Sequence, residues 1–146
     1  MNDKYMNIAL KEAKKAFLEN EVPVGTVIVK DDKIIAKSHN LKNKTKNIFH
    51  HAEMIAIEEA SKKIGDWRLI DCEMYVTLEP CPMCASAIQQ SRIKKVYIGT
   101  TSNVLSNKDI VELIFNSGDS YHKVNFEYID NTACSKLLTD FFSKKR

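Results

Sequence analysis

Hydrophobic residues near the start of the chain recur every three or four positions, the spacing of an amphipathic helix. In residues 4–19 the apolar positions are Met6, Ala9, Leu10, Ala13, Ala16 and Phe17. This spacing predicts a helix with one buried face. The segment from Val22 to Val29 is β-branched and nearly all apolar, which predicts a mostly buried strand. Gly25 inside that strand indicates a bulge or a close approach of another backbone.

Strands and helices alternate through the rest of the chain. The other predicted strands are residues 33–37, 73–78, 94–98 and, at a sheet edge, 124–128. The other predicted helices are residues 51–64, 82–90 and 109–115, and a final helix with Cys134, Leu137, Leu138, Phe141 and Phe142 on one stripe. Residues 40–49 are predicted to be a polar, lysine-rich loop. Since this alternation requires helices on both sheet faces, we expect an α/β fold, a three-layer α/β/α sandwich around a five-stranded mixed sheet.

Length and composition favour one folded domain. The chain has 146 residues, of which 44% are hydrophobic and 28% charged, so we expect a single domain over residues 1–146. No segment approaches the ~18–20 apolar residues that a membrane span needs. The N-terminal residues lack the charged and apolar regions of a secretory signal. We therefore expect a cytoplasmic protein with no membrane partner.

Basic residues are grouped at two places, although the net charge is only +3. Lys42, Lys44 and Lys46 lie in the polar loop, and Lys144, Lys145 and Arg146 end the sequence. Groups of this kind are most often solvated surfaces. The other interpretation is contact with the phosphates of a nucleic acid.

Two short motifs carry the candidate chemistry. The first is His51-Ala52-Glu53 at the start of a predicted helix, and the second is Glu79-Pro80-Cys81-Pro82-Met83-Cys84 at a strand-to-helix turn. Two cysteines and one histidine form a ligand set suited to zinc, and a helix N-terminus favours thiolates. Because no fourth protein ligand is evident, we expect one zinc ion per chain with an open coordination position, as in catalytic sites.

Glu53 lies two residues after His51, and residues two apart on a helix do not share a face. It therefore need not ligate the ion, yet it is near enough to handle the protons of a water there. That is the position of a general acid/base beside a metal.

A Cys-x-x-Cys pair alone is also typical of a redox pair or of half a structural zinc site. A redox pair leaves the histidine motif unexplained, and a structural site requires a second pair or a second histidine at ligand spacing. Cys72 and Cys134 are isolated and are interpreted as small buried hydrophobic residues. The two motifs together favour zinc catalysis.

The joint pattern is the zinc-deaminase signature, which tRNA adenosine deaminases themselves exemplify. The sequence resembles bacterial tRNA-specific adenosine deaminases of the cytidine/deoxycytidylate deaminase superfamily from Glu12 to Arg146. Besides the two motifs, the matching segments are Glu21-Val22-Pro23-Val24-Gly25, Asn40, Tyr75-Val76-Thr77-Leu78, Ser91-Arg92-Ile93 and Leu137-Leu138-Thr139-Asp140-Phe141-Phe142.

The resemblance implies the cytidine-deaminase fold, a homodimer, and conversion of the wobble adenosine in a tRNA anticodon loop to inosine. It assigns His51, Cys81 and Cys84 to zinc, and Glu53 to proton transfer during hydrolytic attack on C6 of adenine. The residues that it assigns to substrate binding are Asn40, Ala52 and Phe142, with Val24, Lys144, Lys145 and Arg146 as further candidates.

Two other functions stay open at this point. A deaminase of a free nucleobase or nucleoside would use the same zinc chemistry, and residues 47–50 and 102–106 depart from the family pattern. A zinc-stabilised binding module would keep the three ligands but would not need Glu53.

Overall fold

The computed structural model describes residues 3–102, 108–117 and 122–144. The helices are α1 (Asp3–Leu18), α2 (Lys42–Thr45), α3 (Ala52–Ile64), α4 (Pro82–Gln90), α5 (Lys108–Asn116) and α6 (Thr132–Lys144). The strands are β1 (Gly25–Lys30), β2 (Lys33–His39), β3 (Glu73–Leu78), β4 (Lys95–Thr100) and β5 (Asn125–Tyr128). Apart from the short helix α2, these elements follow the predicted order.

The strands form one five-stranded sheet in the order β2-β1-β3-β4-β5. Strand β1 pairs antiparallel with β2 and β3, whereas β3, β4 and β5 are parallel. The predicted mixed sheet is therefore confirmed, and β5 is at an edge as expected.

Successive strand residues point into two separate hydrophobic clusters. Ile28, Met74 and Ile98 contribute to the cluster that includes apolar residues of α3, α4 and α5. Val27 and Tyr75 point the other way, toward apolar residues of α1 and α6. Helices thus cover both faces of the sheet, which confirms the three-layer α/β/α prediction.

The first strand begins later than the hydrophobic pattern predicts. Val22 to Val24 precede β1, which starts at Gly25. The N–H of Val24 donates to the carbonyl of Val22 at 2.8 Å, and the N–H of Asn40 donates to the carbonyl of Val24 at 3.1 Å. Pro23 has no N–H to give to a strand partner. Val24 is buried and Val22 is half-buried, and both line a pocket as well as packing against the core.

Gly25 is the site of a close approach, one of the two predicted alternatives. A Cβ at this position would lie 1.9 Å from the carbonyl oxygen of Ala9 in α1. The bulge is elsewhere in the strand, between Ile28 and Val29. The absent side chain thus lets α1 pack directly on the start of β1.

Two further boundaries differ from prediction. The predicted loop 40–49 contains the one-turn helix α2, which lacks apolar periodicity and has no buried residue. Strand β4 continues through Gly99 to Thr100. Helix α3 ends as predicted, with Gly65 in the left-handed conformation at φ 82°.

Among the described residues, none of the helices combines the length and hydropathy needed to cross a lipid bilayer.

Candidate active site and metal centre

The two motifs meet because each opens a helix, and these two helices, α3 and α4, pack against each other. His51 is the N-cap of α3, and Cys81 is the N-cap of α4. Pro82 occupies the first turn of α4, where its missing N–H costs no hydrogen bond. Both helix N-termini therefore direct their positive ends toward the same place, which favours thiolates there.

The three predicted ligand residues lie together. The Nδ1 atom of His51 is 3.5 Å from the Sγ of Cys84 and 3.7 Å from the Sγ of Cys81. All three ligand atoms lie within 4.8 Å of one another. These separations fit one zinc ion, because two atoms each bound at about 2.0–2.3 Å in a tetrahedral arrangement lie somewhat under 4 Å apart. One nitrogen and two sulfurs are also the donor types that zinc prefers.

The electrostatics of this group prepare one thiolate. Hydrogen bonds from Cys84 and His51 lower the pKa of Cys81 to about 4, although burial opposes this shift. The hydrogen bond to Cys81 raises the pKa of His51, which is partly offset by burial. The hydrogen bond with Cys81, together with burial, raises the pKa of the Cys84 thiol. Cys84 therefore holds the proton that metal binding must release.

Glu53 lies in the same pocket and is 4% exposed. Burial, followed by the nearby Cys81 thiolate, raises the pKa of Glu53 to about 7. A carboxyl group with this pKa can both accept and donate a proton near neutral pH.

The pocket has a volume of about 160 Å³ and a mixed polar and apolar lining. Asn40 and Val24, which the resemblance assigns to substrate binding, both line it. The Oδ1 atom of Asn40 is buried and has no hydrogen-bond partner among the described residues. A buried, unpaired amide oxygen is costly unless a ligand satisfies it. This orphaned atom indicates that the pocket is built to receive a polar molecule.

Other expected substrate residues lie outside this lining. Ala52 is fully buried, and its carbonyl accepts a hydrogen bond from the Ser38 hydroxyl at 2.6 Å. Phe142 is partly buried against the core, and the ammonium of Lys144 lies 5.1 Å from the ring centre of Phe17. Lys145, Arg146 and residues 103–106 lie outside the described residues.

The lining also contains four residues that the sequence did not assign to this pocket. They are Val22, Lys42, Leu78 and Glu79. Glu79 accepts a hydrogen bond from the Tyr128 hydroxyl at 2.6 Å. Burial and this carboxylate raise the pKa of Tyr128, so its hydroxyl remains a donor. Glu79 belongs to the motif that contains the two cysteines. Its contact with Tyr128 of β5 joins residues far apart in the sequence, and no local pattern predicts it.

Comparison with known proteins supports the interpretation of this group as a zinc site. Residues 1–100 match the family described as the cytidine and deoxycytidylate deaminase zinc-binding region. The tRNA-specific adenosine deaminase of Aquifex aeolicus (strain VF5) is 42% identical over 142 residues, 97% of this chain and 94% of that protein. The guanine deaminase of Bacillus subtilis has a solved structure that is 28% identical, with a TM-score of 0.69, covering 99% of this chain and 94% of that one.

A second solved structure comes from a study of A-to-I editing by tRNA:A34 deaminases at the wobble position of transfer RNA. It is 33% identical, with a TM-score of 0.84, and the match covers 93% of this chain and 99% of that one. The cytidine-deaminase-like fold and the zinc dependence expected from the sequence are thereby confirmed. From the near-full-length likeness and the assembled His-Cys-Cys group, we conclude that the chain belongs to the family of tRNA-specific adenosine deaminases, within the cytidine and deoxycytidylate deaminases.

Proposed function

We propose that this protein catalyses the hydrolytic deamination of the wobble adenosine of a tRNA to inosine, with release of ammonia. The observation that carries the proposal is the position of Glu53 beside the His51, Cys81 and Cys84 group, in a chain 42% identical to a tRNA-specific adenosine deaminase. The proposal treats residues 1–146 as one deaminase domain.

His51, Cys81 and Cys84 would hold the zinc ion, one per chain. When bound, the metal lowers the pKa of a water toward 7 and so supplies a nucleophile at neutral pH. With three ligands from the described residues, a zinc ion held there would have one coordination position left for a water.

Glu53 would carry the protons of the reaction. It takes one from the attacking water and delivers it to N1 of adenine as the oxygen bonds to C6. It then takes the remaining proton from the new C6 hydroxyl and gives it to the amine, so that the C6–N6 bond breaks, the C6 carbonyl forms and ammonia leaves. The raised pKa of Glu53, due mainly to burial, suits both directions of transfer.

Asn40 and Val24 would hold the base. The unpaired amide oxygen of Asn40 offers an acceptor inside the pocket, and Val24 supplies apolar surface for a planar ring. Ala52 and Phe142 remain proposed substrate contacts, although neither is among the residues that line the pocket. A base must leave its stack to enter such a site, which an anticodon loop makes inexpensive.

Basic side chains near the pocket support an RNA substrate. Lys42 lines the pocket itself, and Lys44 lies two residues further along α2. The proposed partners of the RNA backbone further include Lys144, Lys145 and Arg146 at the end of α6 and beyond it. Contacts of this type predict an affinity that falls steeply with salt.

The test is inosine formation on a transcribed arginine tRNA with adenosine at the wobble position, run beside free adenine, guanine and cytosine. We expect conversion of the tRNA alone. Efficient deamination of a free base with every tRNA untouched would replace this function by that of a nucleobase deaminase. Zinc binding without turnover of any of them would favour the binding module.

The proposal includes a homodimer acting in the cytoplasm. Ile48 and Phe49 are 67% and 59% exposed just before the metal ligand His51, and Phe49 borders a concave surface shared with Met54 and Ile57. Burial of such a surface by a second copy would remove apolar area from water. Sedimentation equilibrium would decide between one and two chains of 16.7 kDa. None of the four cysteines, all of them among the described residues, forms a disulfide, which suits a reducing compartment.

A further inference from the structure

His39 is a histidine whose two ring nitrogens both face carboxylates. It is the last residue of β2. Its Nδ1 lies 3.0 Å from Oε1 of Glu12 in α1, and its Nε2 lies 2.7 Å from Oε1 of Glu19, just after that helix. A carboxylate accepts hydrogen bonds and donates none, so each ring nitrogen has to supply its own hydrogen. The ring between the two carboxylates is therefore an imidazolium with a positive charge.

The two carboxylates are ionised, as this arrangement requires. Burial opposes the ionisation of Glu12, but hydrogen bonds from Lys15 and His39 hold its pKa below the ordinary value. Hydrogen bonds from Lys44 and His39 lower the pKa of Glu19. The ammonium of Lys15 lies 2.7 Å from the second oxygen of Glu12. The ammonium of Lys44 lies 2.9 Å from the second oxygen of Glu19. The cationic ring thus joins two ion pairs into one chain of alternating charge.

The ring also ties the end of β2 to α1. Strand β2 lies at the edge of the sheet, where His39 is opposite Gly25 of β1. Gly25 is the position at which α1 packs directly on the sheet. Glu12 is buried, and hydrogen bonds to charged groups contribute more than those between neutral groups. The last residue of β2 is therefore held by strand pairing and by a charged hydrogen bond to α1.

Asn40 follows His39 directly and lines the pocket. Its buried amide oxygen has no partner within the part of the chain that the structure describes. Its N–H donates to the carbonyl of Val24 at 3.1 Å, and the N–H of Leu41 donates to the carbonyl of His50 at 3.0 Å. Because one peptide bond connects Asn40 to His39, the direction of the amide depends on a backbone that the ring anchors from outside the pocket.

We propose that His39, as an imidazolium held by Glu12 and Glu19, is a positioning residue for Asn40, which it orients to hold the target base. This inference rests on the proposed function, in which Asn40 offers the base an acceptor. A ring anchored in this way keeps the amide in place before the base arrives. Preorganisation of this kind improves affinity without any new contact to the ligand.

The charge of the ring is tested by nitrogen NMR of the zinc-loaded protein with isotope-labelled histidine. The chain has four histidines, and His39→Gln identifies the signals of His39 by their loss. We expect both ring nitrogens of His39 to be protonated, because each has a carboxylate to which it donates. A neutral ring, with one nitrogen that lacks a hydrogen, would overturn the inference.

The action on Asn40 is tested by steady-state kinetics on the tRNA with His39→Gln, Asn40→Ala and the double variant. We expect the KM of His39→Gln to rise about 3-fold to 10-fold, the scale of one weakened hydrogen bond. The kcat should stay within about 2-fold and zinc should be retained, since neither Glu53 nor a metal ligand is changed. In the Asn40→Ala background, His39→Gln should cause no further rise, because the residue through which it acts has been removed.

The matched control is His122→Gln. The Nε2–H of His122 donates to the carbonyl of Ile93 at 2.7 Å, before the start of β4. The pocket residue Leu78 lies at the other end of the neighbouring parallel strand β3. The control should leave KM and kcat unchanged. An unchanged KM in folded, zinc-loaded His39→Gln, or effects of His39→Gln and Asn40→Ala that simply add, would overturn the inference.

Glu12→Gln takes the place of His39→Gln if that variant does not fold. It removes the charge that faces Nδ1–H of the ring but leaves an acceptor, so it should identify the His39 signals by their shift and raise the KM only about 2-fold. An unchanged KM again overturns the inference. A wild type that is inactive on tRNA would overturn the proposed function, and this inference with it, whereas an active wild type confines the failure to His39.

Discussion

The carboxylate of Glu21 accepts the backbone N–H of Lys44 at 2.6 Å, and its other oxygen accepts the N–H of Asn43 at 3.0 Å. Glu21 has no exposed surface. It precedes Val22, which lines the pocket, and the segment that it binds also carries Lys42, another residue of the lining. One buried side chain therefore connects two segments that line the pocket.

We expect Glu21→Gln to loosen this connection. The amide group keeps one acceptor but turns an NH₂ group toward the second backbone N–H, which leaves a buried donor unpaired. The free energy of unfolding should fall by about 1–3 kcal/mol, and the KM for tRNA should rise. Chemical denaturation and hydrogen exchange at the amides of Asn43 and Lys44 measure the two effects.

The control for this variant is Glu19→Gln, in the same segment. Glu19 is a partly exposed residue that pairs with the ammonium of Lys44 at 2.9 Å and with the ring of His39 at 2.7 Å, and exposed pairs of this kind contribute little to stability. Equal losses in both variants, or protected amides in Glu21→Gln, would contradict the role given to Glu21.

Removal of one metal ligand should empty the zinc site. We expect Cys84→Ala to lose most of its zinc by elemental analysis, because two ligands rarely retain the ion, and to unfold at a lower temperature. Cys72→Ala is the matched control, since Cys72 is equally buried but is not part of the ligand group. Full zinc occupancy in Cys84→Ala would remove this residue from the site.

Proton transfer can be separated from metal binding at Glu53. The variant Glu53→Gln keeps the shape of the side chain but cannot carry a proton. Turnover should drop about 100-fold to 10,000-fold, the usual contribution of a general acid/base, while zinc stays bound. Single-turnover assays with zinc analysis on the same sample provide the measurement. Near-normal turnover would show that another group moves the proton.

The basic residues at the end of the chain should matter for RNA but not for the chemistry. Replacement of Lys144, Lys145 and Arg146 with Ala should weaken tRNA binding and flatten the dependence of affinity on salt. Deamination of a free nucleoside, if it occurs, should be unchanged. Fluorescence titrations at several salt concentrations measure the slope.

A matched control removes Lys62 and Lys63 instead. These exposed residues lie in the last turn of α3, roughly 17 Å along the helix from the His51 end. Their loss lowers the net charge without touching the pocket. If both sets of variants flatten the salt slope equally, the effect is one of overall charge and the terminal contacts are excluded.

Acid should destabilise the protein through the carboxylates around α1. Burial disfavours ionised Glu12, but hydrogen bonds from Lys15 and His39 outweigh it and hold the pKa of Glu12 below its ordinary 4.5. A carboxyl group with a lowered pKa in the folded state stabilises the fold above its unfolded pKa, and this contribution is lost as the pH falls through the folded value. The thermal midpoint should therefore decline below about pH 4.5. Thermal denaturation of Glu12→Gln should show a shallower decline, and an identical one would exclude this residue.

The sequence by itself determined the metal site and most of the framework. His51, Cys81 and Cys84 are recognisable because each lies at the start of a helix, where local spacing sets its direction. The periodic elements α3, β3 and α4 were predicted almost to their boundaries, since burial of one face repeats at a fixed interval along the chain. The expected role of Glu53 as a general acid/base was inferred only from its position two residues after His51.

Only the tertiary structure decided what surrounds that site. Val22 and Val24 have the hydrophobicity of strand residues, yet they line the pocket because β1 begins at Gly25, where α1 packs against the backbone. Tyr128 reaches Glu79 across 49 positions of the sequence, through the order of the parallel strands. Contacts of this kind depend on which segments the sheet brings together, and no local pattern of hydrophobic and polar residues carries that information.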